Sequence, residues 1–130
     1  MVLEGIQYRV LVEPAEIERF VLATCEEEWD PEDFEEFGQD LYDQRWVLER
    51  VPVEKIQVLQ HQLESDEFIA DVTPRIERQR VLHGSGEAVP PLILRGDDYL
   101  IFDGYARWHL LKELGIKECL AYVGRRRRTT

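Results

Sequence analysis

Apolar positions along the first fifty residues follow two different periods. Ile6 to Val12 alternates loosely and closes on the apolar run Val10-Leu11-Val12, the pattern of a strand entering a core. Pro14 then opens a helix, because the missing N–H of proline has no partner to lose at the first helical position, and Ile17, Phe20, Val21 and Cys25 follow at helical spacing. Asp30-Pro31-Glu32-Asp33 repeats the start signal with a capping carboxylate, a first-turn proline and two acids that favour the positive end of the helix dipole. Phe34, Phe37 and Leu41 supply the buried face of this second helix, and acids fill the positions facing water.

Gln44 to Val53 reads as an extended segment through Trp46, Leu48, Val51 and Val53, and Pro52 places it at a sheet edge or a strand end. Ser65 caps a short helical stretch carrying Phe68, Ile69 and Val72; Thr73-Pro74 restarts a helix to about Leu82, so the segment is predicted helical but interrupted before the loop His83-Gly84-Ser85-Gly86. Pro91 to Leu94, the turn Arg95-Gly96-Asp97-Asp98, and Tyr99 to Phe102 form a predicted hairpin. Tyr105 to Leu114 follows as a helix with Leu110, Leu111 and Leu114 buried, Gly115 ends it in the left-handed conformation, and Glu118 to Val123 is a last strand. The order of elements predicts an α/β fold, a mixed sheet with packed helices.

The length of 130 residues fits one such fold, and no apolar run approaches the ~18 residues of a membrane-spanning helix. Two cysteines give no disulfide framework, and Met1 to Val12 lacks the apolar stretch of a signal peptide, so a cytoplasmic location with free, partly buried thiols is expected. The net charge of −11 changes the picture only once it is located. Residues 1–50 hold 15 acids and 4 arginines, while residues 51–130 are balanced at 12 of each sign. The expected organisation is an acidic extension over 1–50, a neutral unit over 51–124 and a basic tail over 125–130, where Arg125 to Arg128 either touch nucleic acid or a membrane surface, weakly and with salt sensitivity, or pair with the acidic helix of the same chain or of a neighbour. Acidity of this kind disfavours DNA wrapped on the extension.

The neutral unit contains the candidate site, Phe102-Asp103-Gly104-Tyr105-Ala106-Arg107, a strand end passing through glycine into a helix. Such a turn aims the N–H groups of Tyr105, Ala106 and Arg107 into one pocket, with the helix dipole adding positive potential. Arg107 shares a helical stripe with Leu110, Leu111 and Leu114, so its guanidinium is buried and needs a partner. That partner is either structural, a carboxylate such as Asp103 or Glu87 or backbone carbonyls, or a ligand phosphate gripped by the planar fork of the arginine. Asp103 either caps the helix, holds a Mg2+ ion, or accepts a proton from a substrate hydroxyl. His61, His83 and His109 are too widely spaced to suggest a metal site, and the Arg75, Arg78 and Arg80 face reads as solvated, though able to reach a phosphate. Trp108, next to Arg107, is placed to cover a pocket, whereas Trp29 and Trp46 read as core or interface aromatics.

Pro90 to Leu94, Tyr99 to Arg107 and Leu111 to Ile116 together resemble the core of the ParB N-terminal and sulfiredoxin superfamily, over roughly Val51 to Val123. The resemblance implies a ParB/sulfiredoxin-like unit behind an acidic helical N-terminal extension, with nucleotide phosphates at the helix from Tyr105 to Leu114 and Gly104 and Arg107 matching the motif's glycine and arginine. Asp103 matches the acid of the Asp-Gly-His-His-Arg version, found in single-domain members and in relatives that phosphorylate free serine. Sulfiredoxins carry a catalytic cysteine where Tyr105 and Ala106 stand, so that activity is not expected. ParB proteins carry Glu-Arg there and continue into a helix-turn-helix region; the chain ends at Thr130, so sequence-specific DNA binding is not expected of it alone. The reading is therefore a nucleotide or phosphorylated ligand at Gly104 to Arg107, with weak Mg2+-assisted hydrolysis or phosphoryl transfer through Asp103. The alternative is a non-catalytic module whose acidic helix, residues 30–43, docks a basic, DNA-binding partner.

Overall fold

The computed structural model describes residues 1–59 and 63–126; His61 and the end of the arginine run, Arg127 and Arg128, lie outside the described residues. In chain order the elements are β1 (Val2–Leu3), β2 (Ile6–Gln7), α1 (Pro14–Glu28), α2 (Pro31–Tyr42), β3 (Gln44–Pro52), a single 3-10 turn (Val53–Lys55), α3 (Asp66–Gly84), β4 (Leu92–Arg95), β5 (Ile101–Asp103), α4 (Tyr105–Glu113) and β6 (Glu118–Arg126). The expected mixed sheet with packed helices is what forms. Four strands lie in the order β3-β6-β4-β5, with β4 parallel to β6 and the outer pairs antiparallel. No described helix is long and apolar enough to cross a membrane.

Strand periodicity divides the core between the two faces of this sheet. Leu92 and Leu94 of β4 join Val51, Trp108, Leu111 and Val123 in one cluster, on the side of α4. Ile93, between them, joins Trp46 and Tyr122 with Ile17, Val21 and Cys25 of α1 and Phe37 and Leu41 of α2. The acidic segment thus covers one face of the sheet with its apolar stripe and turns Glu32, Glu35 and Glu36 outward. At the start of α2, Asp33 Oδ2 accepts the backbone N–H of the N-cap residue Asp30 at 3.0 Å.

Four local expectations need correction. The strand expected over Ile6 to Val12 stops at Gln7, with one further bridge from Tyr8 to Val89. Beyond it the Leu11 N–H donates to the Tyr122 hydroxyl at 3.0 Å, so a side chain replaces a neighbouring strand, and Val12 is exposed. The interruption expected at Thr73-Pro74 is absent: α3 runs through Pro74, anchored on either side by buried Val72 and Ile76, while the Thr73 hydroxyl donates to the Ile69 carbonyl at 2.7 Å. Leu114, expected in the core, caps α4 and is 41% exposed. Finally, the last strand outruns Val123 and takes Arg125 and Arg126 into the sheet opposite Arg45 and Gln44, because Glu49 on β3 receives two hydrogen bonds from the Arg125 guanidinium, at 2.7 and 2.6 Å. Both expected boundaries, 50/51 and 124/125, fall inside paired strands.

Candidate ligand-binding site

Strand β5 ends at Asp103, and Gly104 turns the chain into α4 with φ +106° and ψ 26°, a conformation side chains rarely tolerate. Glycine is also needed for space, since a Cβ there would collide with the Leu92 side chain and stand 3.3 Å from Arg107 Nη2. The first bond of the helix runs from the Trp108 N–H to the Gly104 carbonyl at 2.9 Å. The N–H groups of Tyr105, Ala106 and Arg107 precede it and carry the positive end of the dipole. All five residues expected at the site, Asp103, Gly104, Tyr105, Ala106 and Arg107, line one cleft of about 800 Å3.

Arg107 is largely buried, its side chain 14% exposed, and its nearest counter-charge is Asp103, with Nη2 and Oδ2 3.7 Å apart. Its Nε is buried without a hydrogen-bond partner among the described residues. The structural carboxylate of the two expected alternatives is therefore present but does not satisfy the guanidinium. Burial lowers the pKa of Arg107 and raises that of Asp103, with each of the pair partly offsetting the shift of the other. Asp103 does not cap α4. Among the described residues no group of three or more His, Cys, Asp or Glu side chains is arranged to hold a metal ion. A Mg2+ ion at Asp103 would then depend on the oxygens of a bound phosphate, the usual arrangement for this cation.

The other walls come from distant segments. Arg9 follows the Tyr8 bridge, Glu28 ends α1, Asp33 opens α2, and Asp71, Arg75 and Arg78 project from α3. Arg75 and Arg78 thus face the cleft, whereas Arg80 binds Glu77 and Glu113 on the other side of the helix. Arg9, Glu28, Asp33 and Asp71 carry no short-range signal, because only the folding of four segments together brings them to Arg107. Trp108 does not cover the cleft; it is buried in the core, under the Lys112 ammonium at 4.8 Å from its ring. Trp29 does line the cleft, fixed by its Nε1 donating to the Phe102 carbonyl at 3.0 Å and by edge contacts with Phe34 and Phe102. Cys25 and Cys119 are buried and outside it, their thiol pKa values pushed up to about 12 by desolvation.

No protein-family model matches the chain, and no curated protein matches it. Solved structures do. One crystal form of a pNOB8-like ParB N-domain is 24% identical, with a TM-score of 0.45, covering 62% of this chain and 30% of that one. A second structure of the pNOB8-like ParB N-domain is 26% identical, with a TM-score of 0.39, covering 60% and 28% respectively. The match thus spans less than a third of the length of those chains, and the chain is similar over that part to ParB N-domain structures.

Proposed function

We propose that the cleft binds a nucleotide, or another phosphorylated small molecule, with a phosphate at the N-terminus of α4. The observation that carries this reading is Arg107: a largely buried guanidinium at a helix N-terminus, 3.7 Å from the Asp103 carboxylate, with Nε unpartnered among the described residues. The part of the Arg107 side chain that stays exposed is where a phosphate oxygen would bond, and the free N–H groups of the first turn would add to the same oxygens. Asp103 is the residue that would hold an accompanying Mg2+, which would neutralise phosphate charge. Where it carries no cation, its raised pKa suits it instead to accept the proton of water or of an acceptor hydroxyl as that oxygen bonds to the terminal phosphorus and the bond to the departing nucleoside diphosphate breaks. Turnover of this kind is slow, since no second catalytic group flanks Asp103 in the motif.

Thermal melting with ATP, ADP, CTP and GTP, each with and without Mg2+, tests the reading. A ligand that binds only the native chain adds ~2.7 kcal/mol at 100 times its dissociation constant, a readily measured rise in melting temperature. Arg107→Met should remove the rise. No shift with any of the four, or a shift that survives the substitution, overturns the proposal.

The outward face of α2 supports a second reading, a docking surface for a basic protein partner. Glu32, Glu35 and Glu36 are exposed there and form no ion pair or hydrogen bond within the described residues. That reading predicts salt-sensitive capture of a basic partner, lost when these three are changed to glutamine.

A further inference from the structure

The two edges of the four-stranded sheet end differently. At the β5 edge the segment after the 3-10 turn lies alongside: the Gln57 N–H donates to the Tyr99 carbonyl at 3.1 Å, and the Ile101 N–H donates to the Gln57 carbonyl at 2.9 Å. At the other edge β3 pairs with β6 on one side and, among the described residues, with no strand on the other. Every second residue of such a strand turns its N–H and C=O away from the sheet, ready to pair with another chain. Edges are commonly blunted by a bulge, an interior proline, a cover, or charges that no partner answers. The register of β3 with β6 is unbroken over nine residues, and its proline, Pro52, is the last of them.

The charges of β3 answer one another. Trp46 is buried among residues of α1 and α2, so Arg45, Val47 and Glu49 share the opposite face with Val51. Arg45 is exposed and forms no hydrogen bond or ion pair among the described residues. Its neighbour across β6 is Arg125, a like charge, and its own Glu49 lies four residues further on, about 14 Å along the strand. Glu49 receives Arg125 on both oxygens, and a carboxylate has lone pairs for a further donor. Val47 is partly exposed and belongs to neither core cluster.

Two copies related by a two-fold axis perpendicular to the sheet can pair β3 with β3 antiparallel, keeping like faces on the same side. Centred on Val47, the pairing sets Val47 against Val47, Trp46 against Leu48, and Arg45 against Glu49 of the second copy at both ends. Moving the centre to Trp46 or Leu48 leaves no opposite charges facing each other within β3.

We propose that the chain dimerises by antiparallel β3–β3 pairing centred on Val47, which joins two four-stranded sheets into one. No β3 residue lines the cleft, so the pairing stands apart from the phosphate reading.

Sedimentation equilibrium of the full chain, from micromolar to millimolar concentration near physiological salt, tests the association. The wild-type chain should pass from monomer to dimer over that range. Arg45→Glu puts like charges opposite each other at both ends and should raise the dissociation constant about tenfold. The exposed side chain has no partner to lose within its own chain, so the variant should keep the wild-type circular dichroism. Cysteine cross-linking with diamide reads the register. Val47→Cys places two thiols directly opposite, within the ~4.4–6.8 Å Cα separation of a disulfide, and should give a covalent dimer. Arg45→Cys sets its thiols about 14 Å apart and should not. A wild-type chain that stays monomeric throughout overturns the proposal, whether the edge then takes a strand of another protein or none. A dimer that Arg45→Glu leaves intact, or cross-linking no stronger at position 47 than at position 45, overturns it as well.

Discussion

Arg107 Nη2 stands 3.7 Å from Asp103 Oδ2 across the first turn of α4, and the two partners differ in how they respond to isolation. A carboxylate can discharge itself by taking up a proton; a guanidinium cannot. Burial already favours the neutral form of Asp103. Arg107→Met therefore leaves a carboxyl that protonates where it stands, and Asp103→Asn fixes beside the guanidinium the neutral form that burial favours. We expect both to cost at most about 1 kcal/mol, measured by urea denaturation near neutral pH. A loss of several kcal/mol in Arg107→Met would make the arginine chiefly a structural residue and weaken the phosphate reading.

The same burial gives stability a pH signature. Because the folded pKa of Asp103 is raised, the stability it contributes is present below the ordinary carboxylate pKa and is lost as pH rises through the raised value. Asp98 behaves oppositely. Hydrogen bonds from Arg95, at 3.0 and 2.7 Å, hold its pKa below the ordinary value, so its contribution is present above that value and lost as pH falls through the lowered one. Denaturation measured across the acid range should show Asp103→Asn removing a decline on the neutral side and Asp98→Asn removing one on the acid side. The Asp98 effect should shrink in high salt, since that pair is partly exposed.

Gly104 and Gly115 both have positive φ, +106° and +71°, yet their substitutions should differ in cost. At Gly115 a Cβ meets open space, so Gly115→Ala pays for the left-handed conformation alone, about 1–2 kcal/mol. At Gly104 it collides with Leu92 in the core and crowds Arg107. Gly104→Ala should cost about 2–4 kcal/mol and abolish ligand binding together with it. Equal costs in chemical denaturation would show that Leu92 repacks freely.

These glycines also show what the sequence makes legible. Gly104 to Arg107 is readable because the chemistry of the turn lies in consecutive residues, and α1 and α2 are readable because Pro14 and Pro31 mark their starts ahead of clean apolar stripes. The rest of the cleft is not local. Arg9 reaches it through a bridge between Tyr8 and Val89, eighty-one positions apart, for which no periodicity exists. Arg125 looks like the start of a charged tail until Glu49, seventy-six residues earlier, is placed beside it by strand pairing. Likewise the break expected at Pro74 is a local preference overruled by packing on both sides of it.

Cys25 and Cys119 are fully buried, with thiol pKa values near 12, so the nucleophilic thiolate is scarce and shielded. A disulfide reagent at about pH 8, where a free thiol near its ordinary pKa of about 8.5 reacts readily, should label neither in the native chain and both in urea. Rapid native labelling of Cys25 would mean that α1 opens from the sheet without global unfolding.

Pro74 offers a test of how α3 shapes the cleft. It supplies no N–H for the Ala70 carbonyl, and its ring crowds the preceding turn, a combined penalty of about 3 kcal/mol in a helix interior. The helix persists because Val72 and Ile76 are buried on either side and Phe68 packs edge-on against Tyr105 at 4.9 Å between ring centres. Pro74→Ala restores the missing bond and should raise stability by about 1–3 kcal/mol in thermal or chemical denaturation. If the gain appears and nucleotide binding is unchanged, the proline is a tolerated defect. If the gain appears while binding weakens, the local geometry at Pro74 is what sets Asp71, Arg75 and Arg78 on the cleft wall. A variant less stable than wild type would contradict the helical accounting, because it would require Pro74 itself to make contacts worth more than the hydrogen bond it forbids.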